Sequence, residues 1–404
     1  MDMLLHRFNP WWTDDFHTPA IPRQQYQRLL MSLVDTRDVV LVTGLRRVGK
    51  TTLLYLTIER LLEKVPADRI FYVSLDHMGL RDHTILDIVE EYRRINRLKH
   101  DEHAYLFLDE VHLKEDFELQ LKNLYDEENT KIFASGSASL EITMRSPHLT
   151  GRQRLVPVHP LDFMEFLAFN EVEVPLADAH LLPELAEDHV RYGGMPEYVR
   201  TRDMSYLQSV VDTILWRDVA GRHDIRNREM LADMLALVAQ SVGTCLSTRK
   251  ISKVLGVSTE TVSRTIDLFV EANLIHLTER QGKVSERKAS PKKMYLADTG
   301  LFSILTEDVN LGVMVENAVY LALMRTDRVR YHLASGREVD FISRNTAWES
   351  KYRTRITEKD LVNLKALKRP TKKIVITRDA EGREDGIDLL PLWRFLTREA
   401  EGNG

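Results

Sequence analysis

The sequence contains little of what several classes of protein require. Its 404 residues include one cysteine, Cys245, which excludes a disulfide framework and a cysteine-based zinc cluster. No apolar run approaches the roughly 18 residues of a membrane span, and H-E-x-x-H is missing. The 56 basic residues face 61 acidic ones, so no bulk positive charge is available to coat nucleic acid. Because Asp2 and His6 also interrupt any signal-like apolar start, we expect a cytoplasmic protein with no membrane partner.

The clearest motif is G-x-x-x-x-G-K-T, with Gly44, Gly49, Lys50 and Thr51 at its fixed positions. It follows an apolar, β-branched run and precedes a segment whose leucines have helical spacing. In a loop between a strand and a helix, backbone N–H groups surround phosphates. Lys50 then reaches the β- and γ-phosphates, and the Thr51 hydroxyl can hold Mg²⁺. The motif therefore predicts a site for ATP and Mg²⁺.

A second, acidic signal supports this site. The segment AYLFLDEVH is an apolar strand that ends in Asp109 and Glu110. Asp109 would hold the magnesium shell, and Glu110 would orient or deprotonate the attacking water. A chance match in a surface loop is the alternative, and the acidic strand end argues against it. The predicted nucleotide-binding residues are Gly44, Arg47, Gly49, Lys50, Thr51, Thr52 and Asp109.

A third strand, KIFASGS, ends in small polar residues. Ser135 or Ser137 would contact the γ-phosphate or the water. Serines are also common turn residues at strand ends, so a purely structural role is the alternative. We take Ser135 as the candidate catalytic residue.

Four arginines near these motifs have two interpretations each. Arg152 or Arg154 would reach across a subunit boundary to stabilise transition-state charge, or both are surface arginines. Arg46 and Arg47 lie inside the phosphate loop, where they would contact phosphate or a neighbouring carboxylate. We take Arg152 as the candidate catalytic arginine and Arg47 as the phosphate contact.

These motifs occur with several others along the chain, namely FNPWW, GLRRVGKTT, YVSLD, LFLDEVH, ASGSAS, LTGR, PLDFMEFL and GGMPEYV. Together they resemble the prokaryotic AAA+ ATPases with a C-terminal restriction-endonuclease-like domain. The resemblance spans nearly the whole chain. It implies an α/β P-loop AAA+ core with a parallel sheet and a helical lid. It also implies a homo-oligomer, a ring or partial ring, in which Arg152 is the trans-acting finger.

Residues 230–305 have the pattern of a winged helix. One short helix would stop at Gly256, and the next would start after Ser258 as its N-cap, followed by two wing strands. A flexible basic wing between those strands suits phosphate contacts with DNA, with Lys283, Arg287 and Lys288 as the binding residues. A winged helix that spaces two proteins apart is the other interpretation. The six basic residues of the wing are Arg280, Lys283, Arg287, Lys288, Lys292 and Lys293.

The last hundred residues carry a second chemical signal. Glu316 lies in a helical segment, Asp340 on a strand, and Glu349 and Lys351 two apart on the next strand, hence on one face. Asp340 and Glu349 would bind Mg²⁺ with help from Glu316, and Lys351 would position or activate water. The set resembles the PD-(D/E)XK nucleases, although Glu338 stands two residues before Asp340 and the proline is absent. A solvated, salt-bridging strand face is the alternative.

The domain boundaries that we predict are 1–160 for the AAA+ core, 161–229 for the lid, 230–305 for the winged helix and 306–404 for the nuclease-like domain. The preferred hypothesis is an ATP-hydrolysing AAA+ protein that engages DNA, with cleavage by the last domain left open. The alternative is a nucleotide-controlled regulatory switch whose C-terminal domain binds nucleic acid or partners without cutting. A helicase-like motor lacks support because no second RecA-like domain is visible.

Overall fold

The computed structural model describes residues 1–136, 149–221, 227–308, 310–334 and 336–400. The chain divides into two compact units, Met1–Val158 and His159–Gly404. The segment that the sequence assigns to a lid, 161–229, therefore belongs to the second unit. Within the described ranges, no helix combines the length and the apolar character needed to cross a membrane.

The first unit is built on a parallel sheet. Its described strands are β1 (Val39–Gly44), β2 (Ile70–Ser74), β3 (Ala104–Asp109), β4 (Thr130–Ser135) and β5 (Gln153–Val158). They lie in the order β2-β3-β4-β1-β5, and each neighbouring pair is parallel. Since the carboxyl ends of parallel strands share one edge, the ends of β1, β3 and β4 lie side by side. The predicted α/β core with a parallel sheet is confirmed.

The helices of the first unit connect these strands and cover the sheet. They are Asp2–Phe8, Gln24–Ser32, Lys50–Leu62, Ile85–Asn96 and Phe117–Glu127, with short 3₁₀ turns at Pro10–Trp12, Ala67–Arg69, Met78–Leu80 and Val111–Leu113. Strands β1 to β4 are buried along nearly their whole length because both faces of the sheet are covered there. The indole N–H groups of Trp11 and Trp12 both donate to the carbonyl of Ile70, at 3.0 Å, which fixes the N-terminal segment to β2.

The second unit begins with helices. They are Phe163–Phe169, Leu182–Tyr192, Pro196–Thr201, Met204–Thr213, Arg228–Ala239, Thr248–Leu255 and Thr259–Glu271, with a 3₁₀ segment at Leu176–Leu181 and a π-helical segment at Ile214–Ala220. Gly256 ends one of these helices with a φ of +66°, and the Ser258 side chain accepts from the backbone of Thr261 at the start of the next.

A mixed sheet forms the rest of the second unit. Its described strands are β6 (Ile275–Arg280), β7 (Lys293–Leu296), β8 (Arg330–Ala334), β9 (Arg337–Ser343), β10 (Thr346–Ser350), β11 (Lys372–Thr377), β12 (Gly382–Glu384) and β13 (Ile387–Pro391). The order is β12-β13-β11-β10-β9-β8-β6-β7. Because β6 pairs with β8, this sheet runs across the boundary predicted at 305/306. The remaining helices are Val284–Ala289, Phe302–Leu305, Leu311–Met324, Glu358–Ala366 and Leu392–Ala400, with a 3₁₀ turn at Thr299–Leu301.

The segment between β6 and β7, which the sequence predicts as a flexible wing, contains a short helix. Residues Val284–Ala289 form a short helix between β6 and β7, and the Glu286 carboxylate accepts from the backbone N–H of Lys283 at its start, at 3.4 Å. Glu286 is the one acid of this basic segment, and it takes the role of an N-terminal cap. The wing is thus an ordered turn of helix.

Candidate functional site

The phosphate loop leaves β1 at Gly44 and enters a helix at Lys50. Gly44 has a φ of +141°, and a Cβ there would lie 2.2 Å from the Val158 carbonyl oxygen, so a side chain is excluded. Gly49 has a φ of +99° and open space where a Cβ would be. The buried Lys50 ammonium donates to the carbonyl oxygens of Gly44 and Leu45, both at 3.0 Å. The ammonium therefore lies inside the turn of the loop.

Asp109 connects this loop to the neighbouring strand ends. The Thr51 hydroxyl donates to Asp109 Oδ2 at 2.6 Å, and the Ser135 hydroxyl donates to Asp109 Oδ1. Asp109 ends β3 and Ser135 ends β4, the strand between β3 and β1. The sheet order thus brings together three side chains that the sequence placed in one site. Ser137 lies outside the described residues.

Tyr72 is a member of this site that the motifs did not single out. Its hydroxyl donates to Asp109 Oδ2 at 3.0 Å from the neighbouring strand β2. Burial, followed by the charge of Asp109, raises the pKa of Tyr72 far above its usual value, so the phenol stays protonated and remains a donor. Its position in the YVSLD motif, near the end of a buried strand, is the signal that could have found it.

Removing the Tyr72 hydroxyl should take one hydrogen bond from Asp109 and leave the packing of the aromatic ring unchanged. In Tyr72→Phe the ring still packs against Tyr55, whose centroid lies 4.6 Å away. A hydrogen bond to a charged group contributes about 1.5–3 kcal/mol, so the Mg²⁺ concentration at half-maximal ATP turnover should rise about tenfold. The matched control is Tyr105→Phe on β3, and equal Mg²⁺ dependence of the two variants would contradict this role.

Glu110 follows Asp109 in a left-handed conformation, with a φ of +58°. Its backbone N–H donates to the Ser135 hydroxyl at 3.3 Å, and its carboxylate Oε2 lies 3.4 Å from His112 Nδ1. Left-handed backbone is costly for a residue with a Cβ and is concentrated at functional sites. The turn places Glu110 directly after Asp109, with its backbone held to Ser135 at the end of β4.

The four candidate arginines lie at opposite ends of the strands, two in the phosphate loop and two at the start of β5. Arg46 and Arg47 lie in the phosphate loop, with Arg47 exposed and left-handed at a φ of +62°. Arg152 precedes β5, and its carbonyl accepts from Val39 at the start of β1, at 2.8 Å. Its guanidinium lies 3.4 Å from Asp126, and that of Arg154 lies 3.5 Å from Asp38. Arg152 and Arg154 are therefore at the edge opposite Lys50, and the structure does not bring them to the phosphate loop of their own chain.

The second unit gathers the carboxylates of the C-terminal site at the centre of its sheet. Asp340 on β9 and Glu349 on β10 are buried neighbours, and the backbone N–H of Asp340 lies 3.4 Å from Glu349 Oε2. The backbone N–H of Ser350 donates to Asp340 Oδ2 at 2.8 Å. Glu316 comes from the helix Leu311–Met324 and accepts from the Tyr295 hydroxyl at 2.9 Å. The antiparallel β9–β10 pair therefore brings Asp340 and Glu349 together, with Glu316 facing them from the helix.

Two lysines lie among these carboxylates. Lys351 Nζ is 2.7 Å from Glu349 Oε1, as expected for an E-x-K pair. Lys293, counted with the basic wing in the sequence, is instead buried at 1% exposure, and its ammonium lies 2.6 Å from Glu338 Oε1. That prediction is wrong because Lys293 shares its strand face with Tyr295 and points into the unit. Asn317 holds the helix to this strand through two hydrogen bonds with the Leu296 backbone, at 2.8 and 2.9 Å.

Burial and mutual repulsion perturb the acids of this site. Burial, followed by the charge of Asp340, raises the pKa of Glu316 to about 7 and that of Glu349 to about 8. Burial would lower the pKa of Lys293, but the carboxylates of Glu316, Asp340 and Glu338 outweigh it and raise that pKa. Strongly perturbed groups that share one buried site are typical of functional sites.

The carboxylates fit a divalent cation only in part. Oxygen ligands are those that Mg²⁺ takes, and Asp340 and Glu349 form a close pair of them. In the part of the chain that the structure describes, however, no group of three or more His, Cys, Asp or Glu side chains is arranged to hold a metal ion. Lys293 lies between Glu316 and Asp340, 3.6 and 3.8 Å from their carboxylate oxygens. The structure thus does not bring the three predicted ligands into one metal-binding group.

The predicted DNA-binding residues lie on the short helix between β6 and β7. Lys283 and Lys288 are exposed. Arg287 is half-buried, with its guanidinium 4.0 Å from Glu279. Two of the three side chains are therefore free to meet solvent, and the third also faces an acid.

The strand order β2-β3-β4-β1-β5 and the hydrogen bond from the Thr51 hydroxyl to Asp109 are typical of a P-loop nucleotide-binding domain. Residues 36–167 match the family model described as an AAA domain, and residues 183–311 match a domain of unknown function, DUF8612. The second match crosses the predicted boundary between lid and winged helix. Residues 36–167 are thus similar to an AAA-type P-loop domain.

Relatives and solved structures resemble the chain over most of its length. An uncharacterized protein of Haemophilus influenzae is 26% identical over 402 residues, which cover 92% of this chain and 97% of that protein. The uncharacterized protein MJ1637 of Methanocaldococcus jannaschii is 24% identical over 74% of this chain and 68% of its own length. The Walker-type ATPase paby2304 of Pyrococcus abyssi has a TM-score of 0.45 and 16% identity, over 71% of this chain and 96% of that one.

Proposed function

We propose that the chain hydrolyses ATP with its first unit and engages DNA with its second. The observation that carries the ATPase part is the 2.6 Å hydrogen bond from the Thr51 hydroxyl to Asp109. It joins the two oxygen groups that would hold Mg²⁺, which neutralises phosphate charge when bound. In this site Lys50 binds phosphate and Glu110 orients the attacking water.

Steady-state phosphate release by the full chain tests this assignment. We expect release that requires both ATP and Mg²⁺, because the cation that Thr51 and Asp109 would hold neutralises the charge that develops on the phosphates. Release that persists in excess chelator would argue against the assigned magnesium position, and no release at all would overturn the ATPase function.

A homo-oligomer, a ring or partial ring, is part of the proposal. Arg152 directly precedes β5, at the edge of the sheet opposite the phosphate loop. A strand of six residues spans about 20 Å, so the guanidinium is out of reach of its own site. Arg152 would therefore stabilise charge at the nucleotide of a neighbouring copy, as the resemblance to AAA+ ATPases implies.

The DNA-binding part rests on the helices Thr248–Leu255 and Thr259–Glu271 followed by the β6–β7 hairpin. Two helices and an antiparallel hairpin in this order support the winged-helix interpretation. The exposed Lys283 and Lys288 lie at the hairpin's tip, where cations can contact phosphates. Base-specific reading is not part of the proposal, since Arg264 is the one basic residue of the second helix.

Neutralising Lys283, Arg287 and Lys288 together to Gln should weaken DNA binding uniformly across sequences. Each lost phosphate contact lowers the slope of log K against log salt by about one unit, so a fall of about two to three units is expected. Fluorescence anisotropy of a labelled duplex at several salt concentrations measures it. The matched control neutralises the exposed Lys359, Lys368 and Lys372. An equal slope for both triple variants would favour the spacer interpretation.

The nuclease-like part of the proposal rests on Asp340, Glu349 and Lys351. The β9–β10 hairpin carries the two carboxylates, β10 pairs in parallel with β11, and Lys351 lies 2.7 Å from Glu349 at the strand end. A divalent cation held by Asp340 and Glu349 would supply charge stabilisation at a phosphodiester. Lys351 would position the water, and the function would be metal-dependent cleavage of DNA.

A second candidate function has one specific observation in its favour. The Lys293 ammonium lies among Glu316, Glu338 and Asp340 and offsets part of their negative charge. A cluster neutralised in this way supports a nucleotide-controlled switch whose C-terminal domain binds DNA or partners without cutting. DNA binding without cleavage by the wild-type chain, in Mg²⁺ and in Mn²⁺, would favour the switch.

A further inference from the structure

Lys293 brings a positive charge into the carboxylate cluster from outside the E-x-K motif. It starts β7, and its ammonium is 2.6 Å from Glu338, 3.6 Å from Glu316 and 3.8 Å from Asp340. Glu338 and Asp340 are two residues apart on β9 and so lie on one face. The ammonium thus contacts carboxylates from both the sheet and the helix above it.

The two lysines divide the cluster between them. Lys351 lies beside Glu349, whereas Lys293 lies on the side of Glu316 and Glu338. When all are ionised, the four carboxylates and the two ammonium groups carry a net charge of −2. One divalent cation would balance that charge. The carboxylates are those of Glu316, Glu338, Asp340 and Glu349. Asp340, between the two sides, contacts the Glu349 side through its backbone N–H and the Lys293 side through Oδ1.

Lys293 is buried, although it is a lysine. Its side chain is 1% exposed, while the adjacent Lys292 is exposed. A lysine is almost never fully buried unless it is paired, because the ammonium loses its hydration. Here the pairing partners are the carboxylates of the cluster, so Lys293 compensates their charge as a bound cation would.

We propose that Lys293 is a tethered cation that occupies the position between Glu316, Glu338 and Asp340 and keeps a divalent cation out of it. The Asp340–Glu349 side is then left for one divalent cation. This inference rests on the proposed metal site. Metal ligands lie about 2.0–2.6 Å from a divalent cation. A cation held by Glu316 and Asp340 would therefore have to share those oxygens with the ammonium and be repelled by it.

Calorimetric titration with MnCl₂, without nucleotide, tests the proposal on the full chain. Lys293→Met removes the charge and keeps the side chain's length, and we expect it to bind one more Mn²⁺ per chain than wild type. Lys292→Met is the matched control, one residue away and exposed, and should keep the wild-type stoichiometry. The additional Mn²⁺ should be lost when Asp340→Ala is combined with Lys293→Met, which assigns it to this cluster.

Two further variants keep the test decisive. Lys293→Arg retains the cation and should bind Mn²⁺ as wild type does. Thermal melting shows whether Lys293→Met folds. If it does not, the double variant Lys293→Met with Glu338→Gln takes its place in the titration, because it removes one negative charge together with the positive one.

The outcomes separate this inference from the proposed function. One more Mn²⁺ in Lys293→Met than in wild type supports the inference, and this holds whether wild type binds one or none. Wild type that binds none would contradict only the proposed metal site. Equal stoichiometry in wild type and Lys293→Met overturns the role of Lys293, even where the proposed metal site stands.

Discussion

Lys50→Ala should lower ATP turnover by about 100-fold or more and should weaken nucleotide binding to the same site. The Lys50 ammonium is buried inside the loop, where it donates to the carbonyls of Gly44 and Leu45. Alanine removes the ammonium group that would bind the β- and γ-phosphates, and losing a single such group typically costs a factor of about 10²–10³. Phosphate release and the binding of a fluorescent ATP analogue measure the two effects.

Glu110→Gln is the informative partner of that variant. Glutamine keeps the size and the backbone hydrogen bond to Ser135 but cannot take a proton from water. We expect it to bind ATP as wild type does and to lose turnover by a similar factor. Turnover at the wild-type rate in Glu110→Gln would remove Glu110 from the catalytic role, and wild-type binding in Lys50→Ala would remove Lys50 from phosphate recognition.

Asp340→Ala should abolish DNA cleavage while leaving ATP turnover within about twofold of wild type. Asp340 accepts from Ser350 and lies beside Glu349, so its loss removes half of the carboxylate pair that would hold the cation. The ATPase residues belong to the other compact unit. Cleavage of single-stranded, duplex and branched DNA, assayed with ATP turnover on the same preparation, checks both statements.

Lys351→Ala separates positioning from coordination at this site. Lysine supplies charge and donors but no metal ligand, so the variant should lose cleavage and retain Mn²⁺ binding by calorimetry. Loss of metal binding in Lys351→Ala would contradict the role assigned to it. Metal bound by wild type without cleavage of any substrate would support the regulatory switch in place of the nuclease.

The contact between Thr51 and Asp109 was predictable because the motifs that carry these residues are local and the sheet order is regular. Gly44, Lys50 and Thr51 are fixed by one loop, and Asp109 ends an apolar strand that could only be buried. Parallel strands then bring their carboxyl ends to one edge. The contact between Tyr72 and Asp109 could not be predicted, because it depends on which strands are neighbours in the sheet. A short motif does not encode strand order.

The C-terminal site shows where the sequence pattern is insufficient. The E-x-K spacing correctly placed Glu349 beside Lys351, since two residues on a strand share a face. Lys293 was assigned to a basic, flexible wing because its neighbours in sequence are basic. In the structure β6 pairs with β8, which joins the hairpin to the same sheet as Asp340 and turns Lys293 toward the acids. That pairing joins distant segments, so no local pattern could show it.

The most direct test of the account is the rate of phosphate release from ATP by the full wild-type chain, compared with Glu110→Gln under the same conditions. The account predicts release by wild type that requires Mg²⁺, and ATP that stays bound but intact on Glu110→Gln. Equal release by the two chains, or none by a wild-type chain that binds ATP, would contradict the claim that the Thr51–Asp109–Glu110 site hydrolyses nucleotide.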